Sequence, residues 1–533
     1  MALAAGICAS VAVVVQARLS RVGIQPYGYD GAEFIEHRER LAVALALRDV
    51  GETGLRTAII DADRDFPPLL HWITTVLVAP LGQDAVSATR TGVLWLALLG
   101  LAAGVVTWAL AERRVSVASA AAVGCFLVPA LHGFTTRYYY DLPLMALLWC
   151  VVAFGLAMRG RGVAVLGIGL GGLWFLACLI KWTALPLGPV SIGAVLLAAG
   201  LGSWRRRAAI GGTAVVVWAL LLGGWVALLG AAGSLGGMLA NWLGQMDADQ
   251  AGAAAELGGL VGSALGVIGR VDPLARLQFY LLGTAFSVFS PLLFAATVAL
   301  GVQWLRTGRA GAALLAVMVA GHGLFACFGV AVFDERFILG VAPALVIAGA
   351  LGWGALPTRL RSIVGVALVV LGLVLAVEHH HVGQRVGEAR IENRAPDSFA
   401  NHVRGPWVAD PVERRGWGHH DGETGRGHLE LEALWGAVVA AQPQAVLVVG
   451  DPDLDQAALP SSWLDYRRRL DALQRGGAPI EVRYGSDCDG VDLAVTRGDG
   501  IAPAPPPCAG DWTARVTLAR PGDRSQASVW VLR

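Results

Sequence analysis

The chain has 533 residues, of which 55% are hydrophobic and only 15% charged, a balance too apolar for a protein that is solvated on every side. Its 41 basic and 40 acidic side chains leave a net charge of +1, and the arginines are spread over separate loops, so the basic footprint of a nucleic-acid binder is excluded. Mean hydropathy of +0.59 comes from apolar runs long enough to cross a hydrocarbon core, which defines a polytopic membrane protein. Unpaired backbone groups cost several kcal/mol in lipid, so these runs are helices, and the alternating ten-residue strands of a barrel are not seen.

In chain order, the runs fall near 2–18, 86–111, 116–133, 141–158, 163–180, 183–203, 208–231, 277–304, 310–332, 337–356 and 363–378, which predicts about eleven transmembrane helices. The first run is read as an uncleaved anchor, because no small-x-small cleavage site follows it. Between it and the second lies a long segment with two interfacial elements. Residues 32–48 alternate apolar and charged positions at helical spacing, and 66–79 is an apolar stretch opened by two prolines and too short to span. The loop at about 232–276 is rich in Gly and Ala with scattered acids, and reads as a partly helical lid or interfacial element.

The compact arginine clusters Arg113/Arg114, Arg159/Arg161, Arg205–Arg207, Arg306/Arg309 and Arg359/Arg361 occupy alternate connections, as cytoplasmic loops do. Acidic residues gather on the other connections, among them Asp30, Glu33, Asp65, Asp141, Asp247, Asp249, Asp334 and Glu335. This orients the protein in a bacterial inner membrane with its amino terminus cytoplasmic. The segment after the last span then lies in the periplasm. Lys181 is the single lysine, a bias that points to a GC-rich bacterial coding sequence.

Composition changes near Arg385, so residues 1–384 form a transmembrane domain and 385–533 a small soluble α/β domain. In the latter, 429–441 reads as a helix, AVLVVG at 445–450 as a buried strand, 462–475 as an amphipathic helix and IEVRYG as a second strand. Five cysteines (Cys8, Cys125, Cys150, Cys178, Cys327) sit in apolar runs, where a thiol acts as a small apolar side chain. Cys488 and Cys508 lie in the soluble domain; an oxidising compartment would let them pair, and the sequence alone leaves that open. No fixed-period repeat and no Gly-rich phosphate loop is present.

A transporter that relays protons carries ionisable groups inside its spans. Here His322 is the main one, and it reads first as a hydrogen-bonded core histidine. Acids collected at one interface suit an enzyme acting on a substrate embedded in the outer leaflet. A lipid or glycan flippase and a noncatalytic membrane scaffold are the other two classes; the first leaves the long acidic opening segment unexplained.

Five segments, in this order, carry a family resemblance: YGYDGAEFIEHRERLA (27–42), DFPPLLHWITTVLVAPLG (65–82), TTRYYYDLPLMALLW (135–149), GGLWFLACLIKWTALPLGP (171–189) and ERFILGVAPALVIAGALG (335–352). Together they resemble the GT-C superfamily of polyprenyl-phosphate-sugar glycosyltransferases, in particular aminoarabinose transferases and protein O-mannosyltransferases. The resemblance implies a membrane enzyme that transfers a sugar from a polyprenyl-phosphate-linked donor to a lipid, glycan or protein acceptor. It implies Asp30 as the catalytic general base. Glu33 follows in an Asp-Gly-Ala-Glu run, where many relatives have the two acids adjacent, a departure from the family pattern at this position.

Asp65, with Pro67 and Pro68, resembles the family's cleft-lining acid-x-Pro-Pro segment, with His71 where some relatives place a lysine; a capped, proline-started interfacial helix explains the same residues. Asp141 matches a second acidic position that helps hold a metal ion or the donor phosphate, or else it is a helix cap. Arg137, Lys181 and Arg336 lie at outer helix ends and are implied as donor-phosphate ligands; for Lys181 and Arg336 snorkelling toward headgroups is the alternative, and their place in these segments favours the phosphate role. Asp30 and Asp141 are the implied ligands of a Mg²⁺ or Mn²⁺ ion. The Asp247/Asp249 pair reads as solvated loop, and His379–His381 as a juxtamembrane polar run. Trp72, Trp182 and Tyr138–Tyr140 form an interfacial aromatic belt, some of whose members suit a sugar face.

Overall fold

A computed structural model describes residues 67–78, 85–136, 140–198, 200–232, 280–307, 311–329, 335–385, 428–449, 479–498, 504–519 and 526–532, with a few isolated positions such as Leu41. The predicted first span, the interfacial helix at 32–48 apart from Leu41, and most of the 232–276 loop lie outside the described residues. Leu41 itself is helical and buried.

Among the described residues the membrane part is a bundle of helices. Its helices are α1 (Leu69–Val78), α2 (Ala85–Leu110), α3 (Val115–Leu127), α4 (Pro129–Gly133), α5 (Asp141–Ala157), α6 (Val163–Cys178), α7 (Ala184–Leu197) and α8 (Trp204–Ala232), followed by α9 (Pro291–Thr307), α10 (Ala312–Phe328), α11 (Val341–Gly354) and α12 (Thr358–Arg385). Three of them carry stretches long and apolar enough to cross a membrane unaided: Thr91–Leu110, Trp204–Ala231 and Thr358–Leu375. The other apolar helices are shorter, so helix length does not establish eleven crossings.

Two expected spans are broken. The run at 116–133 divides at Val128, whose ψ of 116° is extended, before Pro129. The run at 277–304 divides at Ser290, with φ of 88°, between a π-helical turn at Thr284–Phe289 and Pro291. At both points a proline follows, which lacks an N–H and crowds the preceding residue out of the helical region; that accounts for the extended Val128, while the positive φ of Ser290 goes beyond what proline requires.

Glycine sets the close helix pairs. A Cβ on Gly171 would lie 2.4 Å from Ala214 O and one on Gly167 would lie 2.4 Å from Thr213 Cβ, so this Gly-xxx-Gly face lets α6 and α8 touch backbone to side chain. A Cβ on Gly352 would lie 1.7 Å from Leu300 O, which seats α11 on α9 in the same way.

The arginine loops converge at one end of this bundle. Arg206 donates from Nη2 to Arg159 O (3.2 Å) and Arg161 O (2.6 Å). Leu110, which leads into Arg113, packs on Gly311, just past Arg309, and Val117 packs on Gly354, just before Arg359. Gly155 against Val195 and Gly321 against Val190 join the two groups. Asp141 opens α5 and Arg159 follows its end, so its 17 residues hold the two ends of the bundle about 25 Å apart.

The carboxy-terminal domain contains α13 (His428–Ala441) and a five-stranded sheet of β1 (Ala445–Val448), β2 (Glu481–Tyr484), β3 (Leu493–Gly498), β4 (Trp512–Ala519) and β5 (Gln526–Leu532), ordered β2-β1-β3-β5-β4. β1 pairs parallel with both β2 and β3, while β5 pairs antiparallel with β3 and β4. All four residues of β1 are buried, as a central parallel strand requires. Leu434, Trp435 and Val438 of α13 pack with Val446, Val448 and Val495 from the sheet. Cys488 and Cys508 form a disulfide with their Cα atoms 5.6 Å apart. Of the predicted helix at 462–475, only Arg468 and Ala472 are described, and both are helical.

Candidate functional site

At the bundle end opposite the arginines, three chain segments meet around buried polar groups. The first is α1. Pro67 and Pro68 start it, the position where proline's missing N–H costs nothing, and Trp72 N closes its first turn on Pro68 O at 3.0 Å. Leu69 N donates to Leu179 O at 3.0 Å, tying α1 to the end of α6. His71 is thereby turned inward and fully buried, with its Nε2 2.5 Å from the Tyr140 hydroxyl and the two rings edge to face at 5.5 Å.

The second segment is the start of α5. Tyr140 takes the N-cap position and makes no side-chain cap bond, so Asp141 is not acting as a cap. Its carboxylate, in the first turn, is turned to the third segment, the turn between α6 and α7. Lys181 Nζ donates to Asp141 Oδ1 at 2.9 Å, with side-chain exposures of 15% and 3%. The lysine does not snorkel, because this pair and the Phe337 ring, 5.4 Å from Nζ to centroid, hold it inward. Lys181 N to Ala177 O (3.1 Å), Ala184 N to Lys181 O (3.0 Å) and Trp174 Nε1 to Ala184 O (2.9 Å) fix the turn that aims it. Asp141 Oδ2 is buried with no hydrogen-bond partner, an acceptor left for a ligand.

Among the predicted site residues, His71, Asp141 and Lys181 are thus brought into one cluster. The backbone of Arg336 belongs to the 3-10 turn Glu335–Ile338, next to Phe337, while its side chain lies outside the described residues, as do Asp30, Glu33, Asp65 and Arg137. Among the described residues no three His, Cys, Asp or Glu side chains gather as metal ligands. Asp141, the one implied metal ligand that is described, has one oxygen committed to an ammonium, so the described residues alone do not build the oxygen shell that Mg²⁺ or Mn²⁺ takes. The sequence places Tyr140 in an interfacial belt, some of whose members suit a sugar face, and gives Phe337 no role; no local signal distinguishes either from a belt or core aromatic.

His322 is not the hydrogen-bonded core residue expected. It is fully buried, both ring nitrogens lack hydrogen-bond partners, and it packs on Gly340, where a Cβ would come within 2.2 Å of Nδ1. Trp149 Nε1 donates to Gly340 O at 3.3 Å from the other side. The glycine makes room for the imidazole.

A helical bundle with a buried acid–lysine pair at the end away from its arginine loops, followed by a small α/β domain, is a fold this chain shares with solved ArnT structures. The crystal structure of ArnT from Cupriavidus metallidurans bound to undecaprenyl phosphate is similar over 98% of this chain and 97% of that one, with a TM-score of 0.50 at 17% identity. Its apo state matches over the same shares with a TM-score of 0.52 at 16% identity. No family model and no curated protein matches the sequence.

Proposed function

We propose that this protein is an integral-membrane glycosyltransferase that moves a sugar from a polyprenyl-phosphate donor to an acceptor at the outer face of the membrane. The observation that carries the reading is the buried Asp141–Lys181 pair beside His71 and Tyr140, at the end of a GT-C fold away from every arginine loop. The similar ArnT structure holds undecaprenyl phosphate, the class of lipid carrier assigned here to the donor. The convergence of the arginine loops supports a cytoplasmic location for that end. The Cys488–Cys508 disulfide supports an oxidising compartment, the periplasm, for the carboxy-terminal domain.

The chemistry needs a base for the acceptor and positive charge for the leaving phosphate. Asp30 takes the acceptor proton as the nucleophile attacks the anomeric carbon. The bond from that carbon to the phosphate oxygen breaks, and polyprenyl phosphate departs with the electron pair. Arg137, Lys181 and Arg336 bind that phosphate. An ammonium has three N–H bonds, and Lys181 uses one on Asp141, so two remain for phosphate oxygens. Because the pair itself is neutral, a leaving dianion draws its net compensation from the two arginines. Glu33 and Asp65 line the acceptor side of the cleft, and His71 braces Asp141 through its neighbour Tyr140. A divalent ion, Mg²⁺ or Mn²⁺, would be held by Asp30 with the free Oδ2 of Asp141 and would supply further charge to the phosphate.

The test is transfer of radiolabelled sugar from a synthetic polyprenyl-phosphate sugar by purified protein in liposomes. Wild type is expected to transfer, and Asp30→Asn to lose about 10²-fold or more in rate with unchanged membrane insertion. Undiminished turnover by Asp30→Asn would remove the base assignment, and undiminished turnover with chelator would remove the metal.

A further inference from the structure

A second group of polar atoms lies on the flank of α1 turned away from Tyr140. Trp72 looks toward α8, where its ring meets Trp225 edge to face at 5.8 Å and 79°, and Thr75 follows one helical turn on along the same side of α1. Trp225 is 8% exposed and packs with Leu179 and Leu229, with Leu69 and Phe175 against them. Trp72 Nε1, Thr75 Oγ1 and Trp225 Nε1 are all buried, and none has a hydrogen-bond partner. An unmet buried polar group is costly, and three along one seam call for a ligand that carries oxygen.

The three atoms also indicate which oxygens. An indole N–H only donates, and a hydroxyl can donate, so the set suits acceptors that bring no O–H of their own. Ester carbonyls satisfy this. Sugar hydroxyls would each bring a donor to be met in turn, and a phosphate dianion would need a cation. The ammonium of Lys181, two residues from Leu179 of this cluster, is turned to Asp141 instead. The seam borders lipid: only 17% of the apolar stretch of α8 is buried, and Leu221 and Leu228 are 41% and 52% exposed.

We propose that the seam between α1 and α8 binds the ester region of a bilayer glycerophospholipid, with the Trp72 and Trp225 N–H groups and the Thr75 hydroxyl donating to its carbonyls. The lipid enters from the bilayer side of α8 and pins α1, the helix that carries His71 to Tyr140. The inference does not depend on the transfer reaction.

Native mass spectrometry of the full-length protein in detergent tests it, using a diacyl phosphatidylethanolamine against its diether analogue, which has the same head group and chains but no carbonyls. Wild type is expected to retain the diacyl lipid about 5-fold or more over the diether, through the hydrogen bonds its carbonyls accept. In the W72F/W225F double variant, which keeps the rings and removes the donors, the preference should fall to about one. Should that variant fail to fold, Thr75→Val is expected to cut the preference about twofold or more. Equal retention of the two lipids by wild type, preference for polyprenyl phosphate over both, or an unchanged preference in the folded variants would overturn it.

Discussion

Removing one partner of the Asp141–Lys181 pair should be far more damaging than removing both. The Asp141 side chain is 3% exposed and Lys181 15%, at 2.9 Å, so the pair is desolvated on nearly all sides. Breaking such a pair strands a buried charge and costs about 3–5 kcal/mol, while replacing both members with neutral residues of similar volume is close to neutral. Lys181→Met should fall in that range, because the carboxylate it leaves is anchored in the first turn of α5 and cannot reach water. Asp141→Asn should cost less, about 1–3 kcal/mol, because a lysine stem can swing its ammonium outward. The double variant Asp141→Asn/Lys181→Met should recover much of the loss, giving a coupling energy of about 2 kcal/mol or more. Unfolding of the full-length protein by SDS titration in mixed micelles, run as a double-mutant cycle, measures this directly. Additive single effects, with coupling under about 0.5 kcal/mol, would refute the claim that the two side chains form a buried, mutually dependent pair.

Gly340→Ala should destabilise by about 1–3 kcal/mol, since the new methyl would lie 2.2 Å from His322 Nδ1, and His322→Ala in the same background should relieve it, as read by the same titration. Gly171→Leu should part α6 from α8 and cost more than about 2 kcal/mol, whereas Gly172→Leu, with nothing within 4 Å of its added Cβ, should change little; melting in detergent separates them. Cys488→Ser opens a loop of 20 residues and should cost the carboxy-terminal domain about 3 kcal/mol, visible as earlier loss of the sheet signal in circular dichroism and unchanged by added reductant.

The helices were legible because lipid imposes one solution on a long apolar run. Their interruptions were not, although Pro129 and Pro291 marked both, because a hydropathy window adds side chains and ignores a missing N–H. The strands divided in the same way. Ala445–Val448 was found as a short, wholly apolar run, while WTARVTLA and QASVWVL, now β4 and β5, alternate or nearly alternate at period two and were passed over. At the site, Asp141, Lys181 and His71 were picked out by family resemblance. Their partners could not be read, since the Tyr140–His71 bond joins residues 69 apart and the ion pair residues 40 apart. Snorkelling and capping are the local alternatives for Lys181 and Asp141, and each gives way to a contact that only the tertiary fold creates.

The pairing also explains how a lysine is tolerated at this end of the bundle at all. Held inward without Asp141, the ammonium would have the Phe337 ring as its one described side-chain contact, so it would have to swing outward to be solvated. Asp141 meets that charge and leaves Oδ2 unsatisfied, and the π-face of Phe337 adds a weaker attraction. Such a site is stable without ligand yet still holds two unused N–H bonds and one unused carboxylate oxygen. Under the function proposed above, a neutral, part-satisfied pair of this kind would accept a phosphate on one side and a donor group on the other without either charge first being freed, which is preorganisation. The tie from Leu69 to Leu179 extends this to α1, whose described 10 residues run about 15 Å and are held by that contact. The geometry of His71 therefore depends on the same turn that aims Lys181, and a perturbation of that turn should disturb both polar contacts together.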